Sequence, residues 1–214
     1  MTSAGLLTAV ADPSWTERAA EDGPGLRFDE LVTEVTAALR AYGLERDVTV
    51  ETFRPGDASP DSLARLRAVL SVNEASDRDV VLAYFNQGVL TGDWDGPHVS
   101  PLGAFDAARG RVLVMDVDRE WYVPYWSPEA RLLDAMLKPA PAGMGSLAGE
   151  TGGLIWLKPR AGGRRVTGLP AGARASSRWT IRHAFRRPIT SGPTATLPGS
   201  RSATSCRNIP RAAP

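Results

Sequence analysis

The residues from Gly96 to Trp126 read GPHVSPLGAFDAARGRVLVMDVDREWYVPYW. In this stretch, a strand-like segment that carries His98 precedes a short glycine-containing turn, Ala108-Arg109-Gly110. A second apolar segment follows the turn and ends in Asp116. Two strands joined by such a turn predict a β-hairpin. The hairpin would hold an imidazole on one strand and a carboxylate at the end of the other, which is how a general base and the group that orients it are commonly held.

The interpretation of these two residues depends on their spacing, because an isolated histidine on a strand is more often structural than catalytic. His98 and Asp116 are 18 residues apart with the turn near the middle, so we expect them to meet across the hairpin. A carboxylate at the end of an apolar strand also needs a partner, since burying it unpaired is costly. An imidazole N–H would supply that partner and would fix the ring tautomer for base catalysis.

The segments on either side of the hairpin predict an α+β domain, in which helices flank a largely antiparallel sheet. Apolar residues at helical spacing indicate three helices: Phe28–Ala41, one that begins at Ser59-Pro60, and one that Ser127-Pro128-Glu129 caps and that runs to Leu137. Short apolar or β-branched runs indicate strands at Val48–Phe53, Val80–Phe85 and Gly153–Leu157. The segment from Asn86 to Trp94 is interpreted as a loop.

Length and composition indicate a folded protein without membrane contact. A chain of 214 residues is long enough for one domain with a real core, and 43% of its residues are hydrophobic. No run approaches the roughly 18 apolar residues that a membrane span needs, and the N-terminus lacks the basic region of a signal peptide. The only cysteine, Cys206, excludes an internal disulfide and a cysteine-rich metal site. A cytoplasmic location is the resulting prediction.

Residues 159–214 differ from the rest of the chain in charge. They contain eleven arginines and no Asp, Glu or Lys, so all 24 acidic residues lie in residues 1–158 beside 14 basic ones, a net charge of about −10. We predict an irregular lead-in over residues 1–25, a folded domain over 26–158, and a disordered tail over 159–214 that is rich in Arg, Pro, Gly and Ser. The tail could neutralise nucleic-acid phosphates, although it lacks a folded module for this; a shifted reading frame in GC-rich DNA explains its composition equally well.

The hairpin and the segments after it resemble the phytochelatin synthase family, the glutathione γ-glutamylcysteinyltransferases. Members of that family have a strand similar to GHFSPIGGY, a turn, a strand end similar to LDV, a P-x-W segment and a helix that ends in AM. The counterparts in this sequence are Pro97 to Phe105, Met115-Asp116-Val117, Tyr125-Trp126 and Leu132 to Met136. A weaker similarity extends from about Gly25 to about Leu157.

This resemblance implies a papain-like cysteine proteinase fold and a Cys-His-Asp triad. His98 matches the general base and acid, and Asp116 matches the residue that orients it. In the family's reaction, a cysteine thiolate attacks the Cys–Gly peptide bond of glutathione, glycine leaves, and the γ-glutamylcysteinyl group passes to a second glutathione or to a growing phytochelatin. The implied partners are glutathione and phytochelatin peptides, with Cd or Zn entering as a glutathione thiolate complex. No covalently bound cofactor is expected, and a homodimer is compatible with the resemblance.

The sequence departs from the family at the nucleophile. The family's cysteine lies well before the histidine, in a Cys-Gly pair that opens a helix, whereas no cysteine precedes His98. We therefore expect an incomplete papain-like fold, an antiparallel-sheet lobe whose nucleophile helix is missing through a misplaced start codon or a degraded gene. We do not expect Cys206 to substitute. The alternatives to an incomplete transferase are a non-catalytic pseudoenzyme that binds glutathione or a partner protein, and a nucleic-acid binder that acts through its tail.

Two further departures concern substrate binding. Tyr84-Phe85-Asn86-Gln87 lacks the basic residue that relatives tend to place there, and Gly152-Gly153 stands where relatives often have Arg-Gly.

Two groups of residues leave alternatives open, and one histidine is assigned no role. Asp93, Asp95 and His98 could form a metal cluster, but a polar loop before the strand is the simpler interpretation. An aromatic group could either pack in the core or line a peptide-binding cleft; its members are Trp121, Tyr122, Tyr125 and Trp126. His183 lies in the predicted tail and is assigned no role.

Overall fold

Six strands form one antiparallel sheet in the order β1-β6-β2-β3-β4-β5. The structure, a computed structural model, describes residues 8–11, 15–16 and 25–160. The predicted α+β class with an antiparallel sheet is confirmed. The strands are β1 (Val48–Phe53), β2 (Val80–Asn86), β3 (Pro97–Asp106), β4 (Arg111–Val114), β5 (Tyr125–Pro128) and β6 (Gly153–Pro159).

Four α-helices and one short 3-10 turn accompany the sheet within residues 25–160, and residues 8–10 and 15–16 of the lead-in that the sequence predicted to be irregular are helical as well. The elements within residues 25–160 are α1 (Phe28–Ala41), α2 (Pro60–Ala75), α3 (Gln87–Thr91), α4 (Glu129–Leu137) and the 3-10 turn Gly145–Leu147. Helix α1 has the predicted bounds, and Gly43 follows its C-cap with a φ of +67°, a left-handed conformation that glycine adopts without strain. The hydroxyl of Ser59 caps α2 by accepting a hydrogen bond from the backbone N–H of Ser62.

Helices cover both faces of the sheet, because each face presents its own apolar layer. Helices α2 and α4 pack on one layer through fully buried residues that include Leu66, Leu70, Leu132 and Met136. Helix α1 packs on the opposite layer through Phe28, against Tyr84 of β2 and Ile155 of β6. The central position of β2 explains why its sequence is continuously apolar rather than alternating.

The structure corrects the predicted elements between β2 and α4. Residues Gln87–Thr91 form a single helical turn, where the sequence predicted a loop. Tyr125–Pro128 form a strand that was not predicted, because four residues with a proline carry almost no strand signal until β4 pairs with them. Ser127 lies within that strand and does not cap α4; Pro128 holds the N-cap position. The last strand also extends two residues beyond the predicted Leu157.

The membrane prediction can be compared with the described helices, whereas the predictions for the two ends of the chain mostly cannot. None of the described helices is both long enough and apolar enough to cross a membrane. Most of the predicted lead-in lies outside the described residues, as does the predicted tail from residue 161 onward, including His183 and Cys206.

Candidate functional site

His98 and Asp116 meet at the end of the hairpin, as their spacing predicted. Strand β4 ends at Val114, so Asp116 lies two residues beyond the strand and not at its last position. The pairing nevertheless continues past the strand, because the backbone N–H of Met115 donates to the carbonyl oxygen of Pro101 over 2.9 Å. This contact carries Asp116 alongside β3, where its Oδ1 lies 3.0 Å from Nε2 of His98.

Asp116 is a buried carboxylate held by three donors. Its side chain has no solvent exposure. Oδ1 accepts hydrogen bonds from Nε2 of His98 and, over 3.0 Å, from the backbone N–H of Asp118. Oδ2 accepts a hydrogen bond from Nε2 of Gln87 over 3.3 Å. Because charge-assisted hydrogen bonds offset the cost of burying an ionised group, this site can hold a carboxylate away from water.

The contact with Asp116 determines which nitrogen of His98 can exchange protons. A carboxylate only accepts hydrogen bonds, so Nε2 carries the hydrogen and Nδ1 is the basic nitrogen of the neutral ring. Nδ1 makes no hydrogen bond to any described residue, and the side chain is 13% exposed. The ring edge also packs against Phe85, with ring centroids 5.6 Å apart at 72°. The imidazole is therefore fixed in place with one basic nitrogen open to a neighbouring group.

Gln87 belongs to this site, although the sequence did not point to it. It is the first residue of α3 and is almost completely buried. The sequence predicts a loop at this position, and the segment differs from relatives in lacking the basic residue that they tend to have there. A side-chain amide directly after a buried strand was the only available signal, and a five-residue helix offers no periodicity to orient it.

The acidic residues before His98 do not gather around a common point. Asp95 accepts hydrogen bonds from Nδ2 of Asn86 at 2.7 Å and from Nζ of Lys138 at 3.0 Å, and these contacts lower the pKa of its carboxyl group. Asp93 instead accepts from the hydroxyl of Tyr122 at 3.1 Å. Among residues 8–11, 15–16 and 25–160, no three His, Cys, Asp or Glu side chains come together in a group that could hold a metal ion.

The aromatic group divides between the core and the surface. Tyr125 packs against the larger apolar layer, and its buried hydroxyl lies near the carboxylate of Asp116. Burial raises the pKa of this phenol, and the nearby negative charge of Asp116 raises it further. Trp121 is 77% exposed on the segment between Asp116 and β5, and its neighbours Val117 and Val123 are exposed as well. An exposed apolar segment therefore follows the carboxylate.

The backbone at Gly152 approaches β2 too closely for any side chain. A Cβ atom at this position would lie 1.9 Å from the carbonyl oxygen of Tyr84. The N–H of Gly152 donates to the carbonyl oxygen of Met136 over 2.6 Å, which ties the same residue to α4. The arginine that relatives often have before the last strand cannot be accommodated on this backbone.

No thiol lies in the described part of the chain. Its only cysteine, Cys206, is outside the described residues. The described site therefore consists of an oriented imidazole, its carboxylate and Gln87.

Comparisons with known proteins agree on one family. A family model described as phytochelatin synthase matches residues 26–143, which is more than half of the chain. Glutathione gamma-glutamylcysteinyltransferase 3 of Lotus japonicus is 35% identical over 88 residues, which cover 41% of this chain and 17% of that protein. Glutathione gamma-glutamylcysteinyltransferase 2 of Arabidopsis thaliana is 33% identical over 87 residues, which cover 41% of this chain and 18% of that protein. The matched region thus spans less than a fifth of the length of these relatives.

One solved structure, the Pseudomonas avirulence protein AvrPphB, aligns with 72% of this chain and 72% of its own. Its sequence identity is 12% and its TM-score is 0.29, a similarity too low to bear on the fold or the site.

Proposed function

The chain belongs to the phytochelatin synthase family, and we propose that it serves γ-glutamylcysteinyl transfer from glutathione, with His98 as the acid–base residue and Asp116 as the residue that orients it. The observation that carries this proposal is the 3.0 Å contact between Nε2 of His98 and the buried Asp116, which leaves Nδ1 available. An imidazole oriented by a carboxylate is the arrangement that activates a thiol or hydroxyl nucleophile. In this structure His98 lies on β3, and Asp116 lies two residues beyond the end of β4.

The proposed reaction uses Nδ1 of His98 twice. Nδ1 first holds the proton of the attacking thiol, so that the thiolate adds to the carbonyl carbon of the Cys–Gly bond of glutathione. The amide nitrogen takes that proton as the C–N bond breaks, and glycine leaves. The amino group of a second glutathione, or of a phytochelatin, then attacks the thioester and returns a proton through Nδ1 to the departing thiol. Cd or Zn enters this proposal only as the thiolate complex of the substrate.

The thiol is the part of this proposal that residues 1–205 do not supply, since Cys206 is the only cysteine. The 214-residue chain on its own is therefore expected to make no phytochelatin from glutathione and Cd²⁺, as measured by mass spectrometry and by glycine release. Product from this chain that disappears in His98→Ala would overturn the expectation of inactivity, while leaving the role of His98 intact.

A fusion tests the two proposed roles directly. The family's cysteine precedes its histidine, so the N-terminal part of the Lotus japonicus relative, up to the residue that corresponds to Arg27, is placed before Phe28. We expect this fusion to release glycine, and we expect His98→Ala and Asp116→Asn each to lower the rate by about 10²- to 10⁴-fold, the range for loss of a positioned acid–base group or of its orientation. An unchanged rate in His98→Ala, or a fusion that folds but makes no product, would count against the proposal.

A non-catalytic glutathione-binding role is the second candidate, favoured by the absence of a thiol from the described residues. Calorimetry separates the two. A pseudoenzyme should bind glutathione to the 214-residue chain with micromolar to millimolar affinity, and its fusion should remain inactive. A chain that needs a thiol segment for substrate binding should show no heat of binding alone and should gain both binding and turnover in the fusion.

A further inference from the structure

We infer that Gln87 is a positioning residue of this site, which acts on His98 through Asp116. The effect of Gln87 on catalysis rests on the proposed function. The contacts of Gln87 with Asp116 do not depend on it. Oδ1 of Asp116 is shared by His98 and the backbone N–H of Asp118, whereas Oδ2 accepts a hydrogen bond from the side-chain amide of Gln87. The hydroxyl of Tyr125 is a further polar group that acts on this carboxylate. Without the amide of Gln87, Oδ2 would lose the hydrogen bond that it accepts in this structure.

The backbone around Gln87 is anchored in a way that suits this task. Its own N–H donates to the carbonyl oxygen of Gly96 over 2.9 Å, two residues before His98. Its carbonyl oxygen accepts a hydrogen bond from the hydroxyl of Thr91 over 3.1 Å, within the same helical turn. Gln87 therefore joins three parts of the site: the end of β2, the start of β3, and the carboxylate that follows β4.

The orientation of the Gln87 amide follows from chemistry. A carboxylate accepts and does not donate, so the NH₂ group and not the carbonyl group must face Oδ2. A donor on each carboxylate oxygen fixes the rotation of the carboxylate about its Cβ–Cγ bond. That rotation sets the direction in which Oδ1 meets the Nε2–H of His98, and thus the direction in which Nδ1 points. Loss of the amide would let the carboxylate turn toward the remaining donors and would weaken the contact with the ring.

The test observes the imidazole itself and needs no catalytic activity. The full 214-residue chain has two histidines, His98 and His183, so ¹⁵N-histidine labelling gives few signals and His183→Gln assigns them. In the unmodified chain we expect a downfield Nε2–H proton of His98 that exchanges slowly with water. In Gln87→Met, which keeps the length of the side chain but has no donor, we expect that signal to be lost or its exchange to accelerate at least tenfold.

Two further variants keep the test decisive. Gln87→Asn retains an amide but is one methylene shorter, so its donor falls short of Oδ2 and the same loss is expected even if the Met variant fails to fold. Ser100→Ala is the matched control: Ser100 is fully buried on β3, two residues from His98, and its hydroxyl has no hydrogen-bond partner among the described residues. It should leave the Nε2–H signal unchanged.

An Nε2–H signal that survives in folded Gln87→Met and Gln87→Asn would overturn the inference, as would its loss in Ser100→Ala. In the active fusion, Gln87→Met should lower kcat about tenfold and leave the KM for glutathione unchanged, as expected when an outer partner of an orienting group is removed. The two proposals fail separately. An unchanged rate in His98→Ala refutes the proposed function alone, and an unchanged Nε2–H signal refutes the role of Gln87 alone.

Discussion

The close approach at Gly152 gives a sharp prediction for Gly152→Ala. The added Cβ would lie 1.9 Å from the carbonyl oxygen of Tyr84, whereas Cβ atoms in proteins essentially never come closer than 3.0 Å to such an atom. The φ of Gly152 is not in the left-handed region, so the whole cost is steric. The obstacle is backbone in the central strand β2, which cannot rotate away as the end of a side chain would. Relief therefore requires strand β2 or the segment before β6 to move by about 1 Å.

Overpacking of this kind costs typically 1–3 kcal/mol, and we expect Gly152→Ala to reach about 3 kcal/mol because the obstacle is rigid. The hydrogen bond from Gly152 to Met136 opposes the movement that would relieve the clash. With a urea m-value of about 2 kcal/mol/M, the unfolding midpoint should fall by roughly 1.5 M.

Urea unfolding followed by tryptophan fluorescence measures this change, and Gly143→Ala is its matched control. A Cβ at Gly143 would meet nothing within 4 Å, and its φ is also outside the left-handed region. Gly143→Ala should be neutral or stabilise the fold by about 0.4–1 kcal/mol, since alanine restricts the unfolded chain. Free energies of unfolding for the two variants that agree within 0.5 kcal/mol would refute the argument from close approach.

Two further predictions concern stability away from His98. Glu150→Gln should lower the free energy of unfolding by about 2 kcal/mol in urea denaturation, because the buried carboxylate pairs with Arg27 at 2.9 Å and Arg54 at 3.0 Å. This is below the 3–5 kcal/mol of a fully buried pair since both arginines remain partly in water, and a loss below 0.5 kcal/mol would contradict it. Ser59→Ala should cost about 1 kcal/mol through loss of the N-cap of α2, whereas Ser59→Asp should cost almost nothing; equal losses in both would argue against a capping role.

The longer helices and strands could be predicted from the sequence, because their apolar spacing and their end residues favour helix or strand locally. The bounds of α1 and β1, the start of α2 at Pro60, and the hairpin turn at Ala108-Arg109-Gly110 all follow from spacing, capping residues and turn residues. The shortest helix and one of the shortest strands could not be predicted in this way. Helix α3 and strand β5 are each a few residues long, and they exist because β4 and the core hold them in place.

The meeting of His98 with Asp116 was predictable in the same way, because a hairpin turn fixes which residues face each other across it. The sequence by itself determined the antiparallel hairpin, the identity of the imidazole and the carboxylate, and the family to which they belong. Only the tertiary structure decided that Gln87 reaches Oδ2 of Asp116, that Nδ1 is the open nitrogen of His98, and that Gly152 has no room for a side chain. These facts depend on how β2, α3, β3 and β6 pack together, and contacts between distant segments leave no periodic trace in the chain.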